Sequence, residues 1–111
     1  MIRGSYRHLI TLHRPDTYDI ANEIESWKQV AAPRSKVKVL DSMEGTGIDL
    51  QAVEIVEFRI PYIKAVELDY KDMVVVFRGR EYEVKGVKNV DYLDKELIIL
   101  ARNDEHSLRM S

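Results

Sequence analysis

Three histidines, His8, His13 and His106, are the side chains of this sequence best suited to acid–base or metal chemistry near neutral pH. His8 and His13 fall on opposite parities of a regular strand, and His106 lies in a polar C-terminal stretch, so their spacing builds no three-histidine metal centre. The chain has no cysteine, which excludes disulfides, thiolate catalysis and cysteine-ligated zinc or iron–sulfur centres. None of its serines occupies a G-x-S-x-G elbow. Glu54 and Glu57 face opposite sides of a strand, while Glu81 and Glu83 share a polar face and read as solvating residues, not as a hydrolytic pair. Gly45 and Gly47 lack the following lysine and hydroxyl that a phosphate loop requires. The expectation is therefore no catalytic residue, no cofactor and no metal.

One binding chemistry stays open on residue types alone. Arg78 and Arg80 flank a turn, Lys36 and Lys38 share a strand parity, and Tyr62, Tyr70, Tyr82 and Tyr92 offer stacking faces, the ingredients of a small nucleic-acid-binding β-barrel. Acidic residues are interspersed through the same regions, and the whole chain carries 17 Lys and Arg against 19 Asp and Glu, so bulk charge supplies no drive toward phosphate.

The elements that must position these residues fit in 111 residues, room for one modest domain, residues 1–111. No signal-peptide run opens the sequence, no stretch reaches membrane-spanning length, and no membrane partner is expected. Residues 6–14 alternate as a first strand that Pro15-Asp16 is expected to stop. Residues 16–29 read as a long hairpin loop anchored by Trp27, favoured over a single irregular helical turn, and Val37, Val39 and Leu40 mark a second strand, or the end of one begun near Trp27, that stops at Ser42. Met43, Glu44, Gly45, Thr46, Gly47, Ile48 and Asp49 form a polar, glycine-containing segment expected to be an exposed or mobile loop, with one short helical turn possible across 49–53. A third strand covers 52–60, with Glu54, Val56, Phe58 and Ile60 on one face, and Pro61 closes it.

Met73 to Phe77 is the most apolar run and reads as a buried strand. Arg78-Gly79-Arg80 turns it into a strand carrying Tyr82 and Val84, with a bulge or bend at Gly86. A connection over 89–95 leads to a last strand at 96–101, and 102–111 reads as a flexible polar tail. Several short strands without a long amphipathic helix predict an all-β fold, a small β-barrel-like or β-sandwich domain with long loops and at most a short helical turn. The expected core or interface positions are Trp27, Val37, Val56, Phe58, Val74, Val76, Val84, Ile98 and Leu100.

Three stretches together carry a resemblance to a known family: Tyr6-Arg7-His8-Leu9-Ile10-Thr11-Leu12-His13-Arg14-Pro15 followed by Ile24-Glu25-Ser26-Trp27; Arg59-Ile60-Pro61-Tyr62-Ile63 followed by Val76-Phe77-Arg78-Gly79-Arg80-Glu81-Tyr82-Glu83-Val84; and Glu96-Leu97-Ile98-Ile99-Leu100-Ala101. In order, spacing and chain length they resemble the phage head–tail joining, or head-completion, family. No single piece is specific; their order is. The resemblance implies a non-enzymatic connector component of a tailed phage or prophage, located at the virion head–tail connector and in the host cytoplasm during assembly. It implies a ring beneath the portal and its adaptor that helps retain packaged double-stranded DNA without sequence-specific binding and offers a surface to the tail-completion protein. Residues 43–49 then become the loop facing the DNA channel, with Glu44 and Asp49 limiting adhesion to phosphate. Trp27, Arg59, Arg78 and Arg80 become interface candidates, the arginines serving either as inter-subunit ion-pair partners or as plain solubilising charges. Two departures stand out. Ala21-Asn22-Glu23 replaces an early glycine, a position Asn22 can fill. The stretch from Gly45 to Arg59 is shorter than in the family, which fits either a stopper or another collar component.

Overall fold

The computed structural model describes residues 6–43 and 53–104. Eight strands form one antiparallel sheet: β1 (His8–Leu9), β2 (Thr11–Tyr18), β3 (Ile24–Ala31), β4 (Arg34–Met43), β5 (Val53–Pro61), β6 (Val74–Phe77), β7 (Arg80–Asn89) and β8 (Glu96–Asp104). A five-residue helix, α1 (Lys64–Leu68), joins β5 to β6, and a 3-10 turn at Val90–Tyr92 joins β7 to β8. The strand order is β1-β4-β5-β8-β7-β6-β2-β3. Only Ile10 separates β1, which pairs with β4, from β2, which pairs with β6. The same extended segment thus serves both sides of the sheet and curls it toward a barrel, the predicted all-β, barrel-like class.

The alternation of β5 and β7 aims the core. Val56, Phe58 and Ile60 point inward with Tyr82, Val84, Leu97, Ile99 and Ala101, and Ile10, Leu12, Met73, Val75 and Val66 complete the cluster. Phe58 sits at its centre, edge-on to both Phe77 and Tyr82 at ring-centroid distances of 5.7 and 5.4 Å. Of the expected core positions, Val56, Phe58, Val74 and Val84 are buried, and Val37 packs partly buried against the cluster. Trp27, Val76 and Ile98 are only half-buried, and Leu100 is 37% exposed. The reason on β8 is parity: Leu97, Ile99 and Ala101 take the inner face, which turns Ile98 and Leu100 outward.

Three further expectations are corrected. Pro15 does not end the first strand, because β2 loses its β6 partner after His13 and has only β3 beside it, with a register irregularity between Pro15 and Thr17. Proline is tolerated at such an edge and bulge. Residues 16–29 do form most of a hairpin, but its loop is confined to 19–23 and the rest is paired strand, with Trp27 opposite Pro15. Its tip is organised by Asp19, whose Oδ1 accepts the Ala21 and Glu23 N–H groups at 2.8 and 3.0 Å, while Asn22 takes φ 62°, the left-handed conformation open to asparagine. Finally, Arg102 to Asp104 are no tail: they extend β8 and pair with Ile55, Glu54 and Val53 of β5. The rest of that stretch, 105–111, lies outside the described residues.

The expected turn at Arg78-Gly79 is present, with φ 53° and 78° at its two central residues, the backbone of a tight two-residue hairpin. A bulge beside Gly86 also appears, between Val84 and Gly86. The connection after β7 holds Asp91, Tyr92 and Asp94 at φ 53°, 55° and 55°. Tyr92 is 89% exposed, so its packing does little to repay that strain. Tyr92→Gly is accordingly expected to raise stability by about 1 kcal/mol in a urea titration.

Candidate functional site

The interface candidates occupy separate parts of the sheet. Arg78 and Arg80 lie at the β6–β7 turn, where with Val39, Glu54, Phe77 and Tyr82 they line a cleft of about 330 Å³. The Tyr82 hydroxyl donates to Glu54 Oε1 at 2.6 Å. Burial first, and then the Glu54 carboxylate, pushes the Tyr82 hydroxyl up to about 12, with Arg80 opposing. A phenol so held stays protonated and works as a hydrogen-bond donor, not as a base. Two exposed guanidinium-bearing residues stand beside this closed pair, an arrangement suited to meeting carboxylates of a partner.

The same end of the sheet carries the last described pair of the β4–β5 hairpin, Met43 with Val53. Of the expected channel segment, only the Met43 backbone is described. Glu44, Gly45, Thr46, Gly47, Ile48 and Asp49 lie outside the described residues.

Arg59 belongs to a different cluster, on the outer face of β4, β5 and β8. Its Nε donates to Glu57 Oε2 at 3.0 Å and its Nη1 reaches Glu96 Oε1 at 3.5 Å. Glu96 also meets Lys36 at 3.5 Å and accepts the Tyr6 hydroxyl at 2.6 Å, while the Lys36 ammonium lies 5.0 Å from the Tyr6 ring centroid. Burial alone pushes the Glu96 carboxyl up, but Tyr6, Lys36 and Arg59 together hold it below its ordinary range. Burial, followed by Glu96, pushes the Tyr6 hydroxyl up to about 12. Sequence reasoning misses Tyr6, Lys36 and Glu96 as partners, since 90 positions separate the tyrosine from its acceptor and only the side-by-side order β1-β4-β5-β8 brings them together.

The sign of the pH effect follows. Glu96 has a folded pKa below its unfolded value, so its contribution is complete above the ordinary carboxylate range and is lost as pH falls through the lowered value. Glu96→Gln is expected to cost about 1–2 kcal/mol at pH 7 and to match the wild-type chain once both are titrated to strong acid, read from unfolding curves at several pH values.

Trp27 stands half-buried on β3, paired to Pro15 of β2. The hairpin that carries it is fixed at its base by Arg14, whose Nη2 donates to the carbonyls of Ala65 and Asp69 at 3.2 and 3.0 Å around the end of α1. His13 bonds Thr11 at 2.9 Å, and burial lowers its pKa against the pull of Glu81. Among the described residues no group of three or more His, Asp or Glu side chains could hold a metal ion, and no helix is long and apolar enough to cross a membrane.

A comparison with curated protein sequences gives no match. Among solved structures, the chain is similar to a chain from the virion of a native gene transfer agent particle, with a TM-score of 0.69 at 16% identity, covering 88% of this chain and 94% of that one. At that identity the likeness shows a shared fold. The family model described as phage head completion protein matches residues 1–104, nearly the whole sequence and all of the described strands. The chain belongs to the phage head completion protein family, structural proteins of the head–tail connector.

Proposed function

We propose that this protein forms a ring beneath the portal and its adaptor, completes the DNA-filled head, helps retain the packaged DNA and presents the surface to which the tail-completion protein attaches. The family match over residues 1–104 carries the reading. The gene transfer agent chain of the same fold, itself part of a virion, supports it. In this reading residues 43–49 face the DNA passage, and Arg78 and Arg80, at the same end of the sheet, meet acidic groups of a neighbour. The DNA passes without being read, in keeping with the near balance of 17 basic and 19 acidic residues.

The test uses DNA-filled, portal-bearing heads that lack this component. Adding the purified protein is expected to produce ring density at the portal in electron micrographs and to slow DNA escape. Heads that gain no density under conditions that permit tail attachment would overturn the reading.

A further inference from the structure

The outer face of β8 is apolar where a solvated strand would be polar. Ile98 and Leu100 stand outward, and the inner positions Leu97, Ile99 and Ala101 are already buried. A strand with two apolar faces is usually covered on both. Beside this ridge Arg59 forms ion pairs with Glu57, which itself faces Leu100, and with Glu96, so the excess positive charge rests on Lys38 and Lys88. Lys88 lies opposite Ile98 on one side, Arg59 lies opposite it on the other, and Lys38 is paired to Glu57, the partner of Leu100. Lys38 and Lys88 carry no ion pair among the described residues. Gly86, opposite Leu100 on β7, has open space where a Cβ would stand, so no side chain of its own shields Leu100 from that side.

A complementary surface exists on the same chain. The β2–β3 hairpin leaves the barrel after His13, its last pair with β6, and five further residues carry it about 16 Å outward at ~3.3 Å per residue. Its tip exposes Tyr18 and Ile20 at 52% and 104%. Between residues 16 and 25 it bears Asp16, Asp19, Glu23 and Glu25 and no basic residue. The Asp19 hydrogen bonds fix the turn before any partner arrives, which lowers the ordering cost of docking.

We propose that the acidic hairpin tip of one copy docks, through Tyr18 and Ile20, on the lysine-flanked Ile98–Leu100 ridge of the next copy. The two surfaces differ, so the contact is head-to-tail and its repetition closes a ring or runs on as a filament. This rests on the ring reading above and names the surfaces that make it.

The absence of cysteine from this chain gives a clean test, because each variant carries a single thiol at a known position. Ile20→Cys and Leu100→Cys chains, alone and mixed, are assembled on the portal-bearing heads, treated with a short bismaleimide and run on a denaturing gel. A covalent dimer is expected in the mixture and in neither variant alone. Adding Gly86→Glu to the Leu100→Cys chain fills open space, so thermal unfolding should stay unchanged while the dimer falls roughly tenfold or more through repulsion of the acidic tip. Ring density without the mixed dimer, or dimers from Ile20→Cys alone, would overturn the docking and leave the ring standing. No ring density would overturn both.

Discussion

Ile99→Asp should leave no cooperatively folded protein, whereas Leu100→Asp, at the next position, should unfold within a few degrees of the wild-type chain and fail to assemble. Ile99 is 0% exposed inside the cluster around Phe58, and Leu100 is 37% exposed on the outer face. A carboxylate at 99 would meet only apolar side chains, a burial that costs on the order of 5 kcal/mol or more, comparable to the whole stability of a small domain. At 100 it would stay in water. Circular dichroism melts of the two purified variants read the first half of this result, and binding to portal-bearing heads reads the second. Equal stability of the pair would contradict the assigned parity of β8.

The second large effect is expected at Phe58. Its ring contacts Phe77 and Tyr82 edge-on and is 0% exposed, with β5 neighbours Val56 and Ile60 equally buried. Phe58→Ala should cost about 3–5 kcal/mol, through lost transfer energy and the cavity left behind. For a chain of this size that corresponds to a fall in Tm of roughly 15–30 °C. Phe58→Leu, which keeps most of the volume, should lose less than half as much in the same calorimetric scan.

These two sites mark what the sequence makes legible and what it hides. β5 is readable because Glu57 and Arg59 alternate with Val56, Phe58 and Ile60, so the inward set follows from period 2. The β6–β7 turn is readable because glycine after arginine marks a place where positive φ is admissible, and both central residues adopt it. β8 hides its parity, since Leu97, Ile98, Ile99 and Leu100 are apolar without a break and either register would bury an aliphatic set. Pro15 misleads because its meaning depends on whether a partner strand needs its N–H, and β6 stops pairing just before it. The Tyr6–Glu96 bond and the Lys36–Glu96 and Arg59–Glu96 pairs depend on the lateral order β1-β4-β5-β8, which brings together positions far apart in sequence and leaves no local trace. Trp27, conspicuous by type, proves to be part of a projecting ribbon and not a core anchor.

The position of β8 bears on how this chain reaches its native state. It follows every other described strand in sequence, yet it lies between β5 and β7, and β5 has no other neighbour on that side. Until residues 96–104 have left the ribosome, the nascent chain can form only the two parts of the sheet β1-β4-β5 and β7-β6-β2-β3, with β5 and β7 left as unsatisfied edges. Non-local pairing of this kind slows the rate-limiting step and lengthens the time for which sticky edges stay open to other chains. Translation stalled before residue 96 should therefore yield an aggregation-prone chain, and the full chain tethered to the ribosome through an added C-terminal linker a protease-resistant one.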